Sequence, residues 1–129
     1  MIYVDTSVVL AQIFAEDRRP TPAFWSHGLV ASRSVVYEAW VRVHTLGRGA
    51  THGAATASTL ARLDLVALNE ATCARCHTPF PVPVRTGDAL HLAAACFLRE
   101  QAEEVEFATY DARLAVAAGA LGFRMAPLD

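Results

Sequence analysis

The hydrophobic pattern of this chain switches repeatedly between two periods. Short runs rich in β-branched and aromatic residues, Ile2–Val4, Leu29–Ala31, Leu65–Leu68, Val105–Thr109 and Phe123–Ala126, read as strands. Helical stretches lie between them. Ser34–Leu46 carries apolar residues at 35, 36, 39, 40, 43 and 46, one stripe of a helix, and Gly47 and Gly49 end it. Ser7–Ala15, the alanine-rich Thr51–Leu63 and Ala112–Ala120 read the same way, the last closed by Gly122. Thr86–Glu100 is apolar almost all the way round, which predicts a central helix. Pro22, after the turn-rich EDRRPTP, can start a short helix. Asn69–His77 reads as another, stopped by TPFPVPV, whose prolines exclude regular structure. Strands separated by helices imply a parallel sheet covered on both faces, with right-handed crossovers. The fold class is therefore α/β, one domain over residues 1–129.

Composition narrows the class further. At 53% hydrophobic and 19% charged, the chain is too apolar to be disordered, yet no apolar run approaches a membrane span. The start, MIYVD, lacks a basic region and a long apolar segment, so the expectation is a cytoplasmic protein without membrane contact. A formal charge of −2 provides no global field for gripping long duplexes. All eleven basic residues are arginines, suited to phosphate and carboxylate recognition. The three cysteines, an odd count, argue against a disulfide framework.

The acids carry the candidate chemistry. Asp5 ends the first strand and Asp111 follows the fourth. If those strands are neighbours, both carboxylates open on the same sheet edge, although each also suits a helix cap. Asp88 stands on the first turn of the central helix, which Thr86 could cap. There a negative charge favours the helix dipole, but within an apolar helix it also requires water, a partner or a metal. Glu38 lies on the flank of its stripe, one turn before Arg42, where an exposed ion pair is the bland expectation. Taken together, the four acids can face one edge. Gathered carboxylates raise one another's pKa unless a cation neutralises them, and oxygen-only ligation selects Mg²⁺ or Mn²⁺. Such a site can activate water for phosphodiester cleavage.

Four strings, IYVDTS, SVVYEAWVR, RTGDALHLAAA and ATYDARLAVAAGALGF, resemble those of PIN-domain nucleases, and most closely the VapC-like toxins of bacterial toxin–antitoxin pairs. The resemblance runs from Met1 to about Pro127. It implies a three-layer PIN-like sandwich, with a central parallel sheet of about five short strands flanked by helices. It further implies that Asp5, Glu38, Asp88 and Asp111 hold Mg²⁺ or Mn²⁺, that Ser7 orders the metal's water shell, and that Thr109 lines the site. The implied activity is that of a ribonuclease toxin acting on single-stranded RNA or exposed RNA loops, a homodimer inhibited by a cognate antitoxin. Where many relatives carry a further Asp or Asn after the last acid, this chain has Arg113, expected to cover a helix face.

Other signals are weaker. CARCH at 73–77 matches a haem-attachment pattern and offers Cys73, Cys76 and His77 as zinc ligands, but no second Cys pair completes a structural site. His91 is expected to be a satisfied core histidine and Trp40 a core residue. Phe24 and Trp25 are candidates for a dimer or antitoxin surface. Arg18 and Arg19 fall in a loop near the active edge. A phosphatase reading needs a second Asp two residues after Asp5, where Ser7 stands. A binding module on the same scaffold, or a PIN nuclease of RNA processing, remains as the alternative function.

Overall fold

The computed structural model describes residues 1–101 and 104–128. Five strands, β1 (Ile2–Val4), β2 (Leu29–Ser32), β3 (Asp64–Val66), β4 (Glu106–Ala108) and β5 (Arg124–Met125), form one sheet in the order β3-β2-β1-β4-β5. Every pairing is parallel. The helices are α1 (Thr6–Ile13), α2 (Ser34–Thr45), α3 (Gly49–Leu60), α4 (Glu70–Cys73), α5 (Thr86–Glu100) and α6 (Ala112–Ala120). Short 3-10 turns at Pro22–Ser26 and Ala74–His77 complete the described elements, so the asparagine-led segment after β3 divides into α4 and a turn.

Because β1 is central, both of its faces are buried, and the sheet divides the core in two. On one side Ile2 and Val4 pack with Val8, Val9, Val35, Ala39 and Val43 of α1 and α2. On the other, Tyr3 packs with Phe107 and with Leu92, Ala95 and Leu114 of α5 and α6. Trp40 packs against the first cluster, as its stripe predicts. Phe24, expected on a partner-facing surface, is instead a buried member of that cluster, and Trp25 packs against it half-buried. The two rings meet edge-to-face, 5.5 Å between centroids.

Tyr3 also carries the one hydroxyl that ties strand, neighbour and helix together. The Ser32 amide donates to its oxygen at 2.9 Å, and its hydroxyl reaches Nδ1 of His91 on α5 at 2.7 Å. Burial, offset in part by the Ser32 amide, holds the Tyr3 phenol well above its ordinary range, so it remains a donor. Removing it leaves a buried amide and a ring nitrogen unpaired. Tyr3→Phe is therefore expected to lower stability by about 1–3 kcal/mol. Urea unfolding should show a lower midpoint at unchanged slope.

Candidate functional site

The pairing of β1 with β4 sets Val4 opposite Ala108, so the residues after each strand, Asp5 and Thr109, meet at the carboxyl edge of the sheet. Asp5 is buried, 4% exposed, and both of its oxygens are engaged. Oδ1 accepts from Ser7 Oγ at 2.6 Å and from the Val8 amide at 3.3 Å. Oδ2 accepts from Thr109 Oγ1 at 2.7 Å. The two hydroxyl oxygens in turn accept backbone amides, Ser7 from Tyr110 and Thr109 from Asp111, each at 2.9 Å. One carboxylate thus orders the β4–α6 loop through two hydroxyls, and that loop carries Asp111. Burial raises the Asp5 pKa, while Ser7, Thr109, His91 and the Val8 amide oppose the rise.

Both strand-end acids are caps as well. Asp5 caps α1 through the Val8 amide, and Asp111 caps α6 by accepting from the amides of Arg113 and Leu114. Capping occupies Asp111 Oδ1, and the side chain still lines an open cleft of about 590 Å³ together with Glu38 and Asp88. No side chain caps α5; Thr86, expected in that role, is its first residue.

Glu38 is held differently from the expectation. Its partner is His91, with Nε2 to Oε1 at 2.9 Å, and no ion pair joins it to Arg42 among the described residues. Protons assign the chain of bonds. The Glu38 carboxylate only accepts, so Nε2 carries the hydrogen of the neutral ring, and Nδ1 accepts from the Tyr3 hydroxyl, whose oxygen accepts the Ser32 amide. Thr6 Oγ1 also approaches Nε2, at 3.1 Å. His91 is 2% exposed and Glu38 39%, so a buried core histidine presents a half-exposed acid to the cleft. Glu38 Oε2 lies 3.8 Å from the point where a Cβ on Gly87 would stand, facing the start of α5. Partial burial pushes the Glu38 pKa up, but His91, Thr6 and Ser34 outweigh it and leave the carboxyl below its ordinary range.

Asp88 is shifted the other way. Burial raises its pKa first, followed by repulsion from Asp111 and Glu38, and His91 and Arg85 only partly compensate. Thus the four sequence-derived acids face one edge, three of them on the cleft wall and Asp5 buried beside Ser7 and Thr109. Arg113 also lines this cleft and does not simply cover a helix face. Its role there, and that of His91 behind Glu38, were not legible from residue spacing.

In kind, the donors suit a hard cation. They are carboxylate and hydroxyl oxygens, and two carboxyls are disfavoured in their charged form. Among the described residues, no group of three His, Cys, Asp or Glu side chains is drawn together closely enough to hold a metal ion. That applies equally to Cys73, Cys76 and His77, which are half-buried, exposed and exposed.

The Asp88 shift carries a sign. A carboxyl whose pKa is raised by folding favours the native state only while protonated. Its ionised form is a penalty that appears as pH rises from about 4, the ordinary Asp value, through the raised one. Asp88→Asn should therefore stabilise the protein at pH 7, with the gap closing as pH falls toward 4. Urea midpoints over a pH series measure this. A helix-dipole role alone requires the opposite, destabilisation at pH 7.

No family model and no curated protein matches this chain. Among solved structures, the fold is similar to the crystal structure of PAE2754 from Pyrobaculum aerophilum, with a TM-score of 0.55 and 14% sequence identity, covering 92% of this chain and 86% of that one. At that identity the likeness concerns the fold alone. The chain has a PIN-like α/β fold.

Proposed function

We propose that this protein is a Mg²⁺- or Mn²⁺-dependent endoribonuclease whose working residues are Asp5, Glu38, Asp88 and Asp111, with Ser7 and Thr109 in support. The observation that carries the reading is the cleft itself. Carboxylates from α2, α5 and the start of α6 share one wall at the sheet's carboxyl edge, and Asp88 is held above its ordinary pKa by burial first and then by Asp111 and Glu38. A folded protein keeps such a costly arrangement where the charges do work. A bound Mg²⁺ or Mn²⁺ would neutralise them, supply a water of lowered pKa and stabilise charge at the scissile phosphate.

The chain's own residues divide the remaining tasks. Asp5, fixed by Ser7, Thr109 and the Val8 amide, offers its one remaining lone pair, on Oδ2, in a rigid setting. His91 restrains Glu38 to one orientation through Oε1 and leaves Oε2 toward α5. Asp88 and Asp111 line the open cleft, where a phosphodiester can enter. The resemblance of the four motif strings to VapC-like toxins supports the finer reading, a toxin of a type II pair that forms a homodimer and is inhibited by a cognate antitoxin. A non-catalytic PIN-fold binding module has one observation in its favour: the carboxylates are not drawn together as a metal-holding group among the described residues.

Metal titration separates the two. With Mg²⁺ or Mn²⁺ the purified protein is expected to cut tRNA or rRNA, and EDTA should stop it. Asp88→Asn and Glu38→Gln should each lose roughly 10²-fold or more in rate, the scale of a lost electrostatic stabiliser. The same ions should raise the melting temperature of the wild type by mass action, and Asp88→Asn should abolish that rise. A folded wild type with neither cutting nor metal stabilisation would leave the binding module.

A further inference from the structure

Seven of the eleven arginines have a visible structural task. Arg18, Arg19, Arg75 and Arg99 donate to backbone carbonyls. Arg48 and Arg62 lie over the rings of Phe14 and Trp25. Arg124 pairs with Glu106. Only Arg33, Arg42, Arg85 and Arg113 make no side-chain hydrogen bond, ion pair or ring contact among the described residues, and the last three line the carboxylate cleft. They come from three separate places, α2, the end of the proline-rich loop and the first turn of α6. All three are exposed.

We propose that Arg42, Arg85 and Arg113 form a phosphate-binding rim that holds the backbone of a single-stranded RNA across the acidic cleft. This rests on the nuclease reading above and assigns its substrate contacts. An acidic cleft repels the phosphodiester it must admit, and guanidinium groups on its rim offset that repulsion without neutralising the acids, since none of the three forms an ion pair with them. Three contacts make a short footprint, which suits a strand or an exposed loop better than a long duplex. Arg85, with Pro83 and Val84, also walls a second open groove along the proline-rich loop. The two clefts thus adjoin the same stretch of chain, Pro83–Val84–Arg85. Arg75, beside the second groove, is already committed to Thr78, Pro79 and the Phe80 ring.

The test is fluorescence anisotropy of a short labelled single-stranded RNA with the full chain in EDTA, where binding is read without cutting, over a salt series. The triple variant Arg42→Ala, Arg85→Ala, Arg113→Ala is expected to bind tenfold or more weakly. Its plot of log affinity against log salt should be shallower by about 2, at about 0.7 per lost contact, and Arg113→Ala alone by about 0.7. A control triple, Arg48→Ala, Arg62→Ala, Arg124→Ala, removes equal charge away from the cleft and should change neither by as much. Equal effects in both triples, or none in the rim triple, would overturn the rim. Cleavage of the same RNA in Mg²⁺ keeps the two proposals apart. If the wild type cuts and the rim triple binds unchanged, the rim alone fails. If the rim triple loses binding but the wild type cuts in neither Mg²⁺ nor Mn²⁺, the nuclease reading alone fails.

Discussion

A carboxylate at the end of a buried central strand is the constraint around which this protein is arranged. Asp5 leaves water almost completely, and an unpaired charge there would be very unfavourable. Its neighbours are chosen accordingly. Ser7 and Thr109 each give their only proton to Asp5, and each then accepts a backbone amide of the β4–α6 loop. The contact between the two hydroxyls, 3.3 Å, is therefore a consequence of their shared acceptor and not a bond that either needs. Desolvating one charge thereby fixes the loop that carries Asp111. Residues more than a hundred positions apart become one unit because β1 and β4 pair in register.

A second polar path crosses the core from β2 to the cleft. Ser32, Tyr3, His91 and Glu38 form a directed chain of hydrogen bonds from the β2 backbone to the cleft. The Glu38 carboxylate can only accept, so it sets the hydrogen on Nε2 of His91 and leaves Nδ1 of the neutral ring to accept the Tyr3 hydroxyl. Such a network is high-stakes in a dry core, since a single missing partner leaves a buried polar group exposed to its full desolvation penalty. Its result at the surface is specific: Glu38 is held below its ordinary pKa while Asp88, in the same cleft, is held above it. Two carboxyls of like chemistry are thus kept in different protonation tendencies by what stands behind them.

Much of this was legible in the residues, and the gaps have physical reasons. The bounds of α5 and α6 coincide with the predicted ranges because their signals are local: a Pro-rich stop, capping Asp111 and closing Gly122. The strand-end position of Asp5 followed from the abrupt change after Ile2–Val4. The partner of Glu38 did not, because helical spacing sees Arg42 one turn away but not His91, 53 residues on and brought close only by α5 packing beside α2. Phe24 misled for a related reason. After a loop of charged and proline residues an aromatic pair reads as surface, yet the Pro22–Ser26 turn folds one of its rings into the core. The order of the strands was beyond pattern reading as well, since periodicity says which segments are strands and nothing about which are neighbours.

The arginines show how a nearly neutral chain can still present a structured field. A net charge of −2 averages over eleven arginines and thirteen acids, and hides their arrangement. Most arginines are spent on carbonyls and rings that hold the chain's own loops. Three of the others, Arg42, Arg85 and Arg113, stand where three carboxylates open to solvent. The arginines and acids that share this cleft form no ion pair with one another among the described residues. Such an arrangement leaves both sets able to meet a third party that needs both signs at once. A phosphodiester with a hard cation at its reacting phosphate is such a party: negative along its backbone, positive at the point of attack.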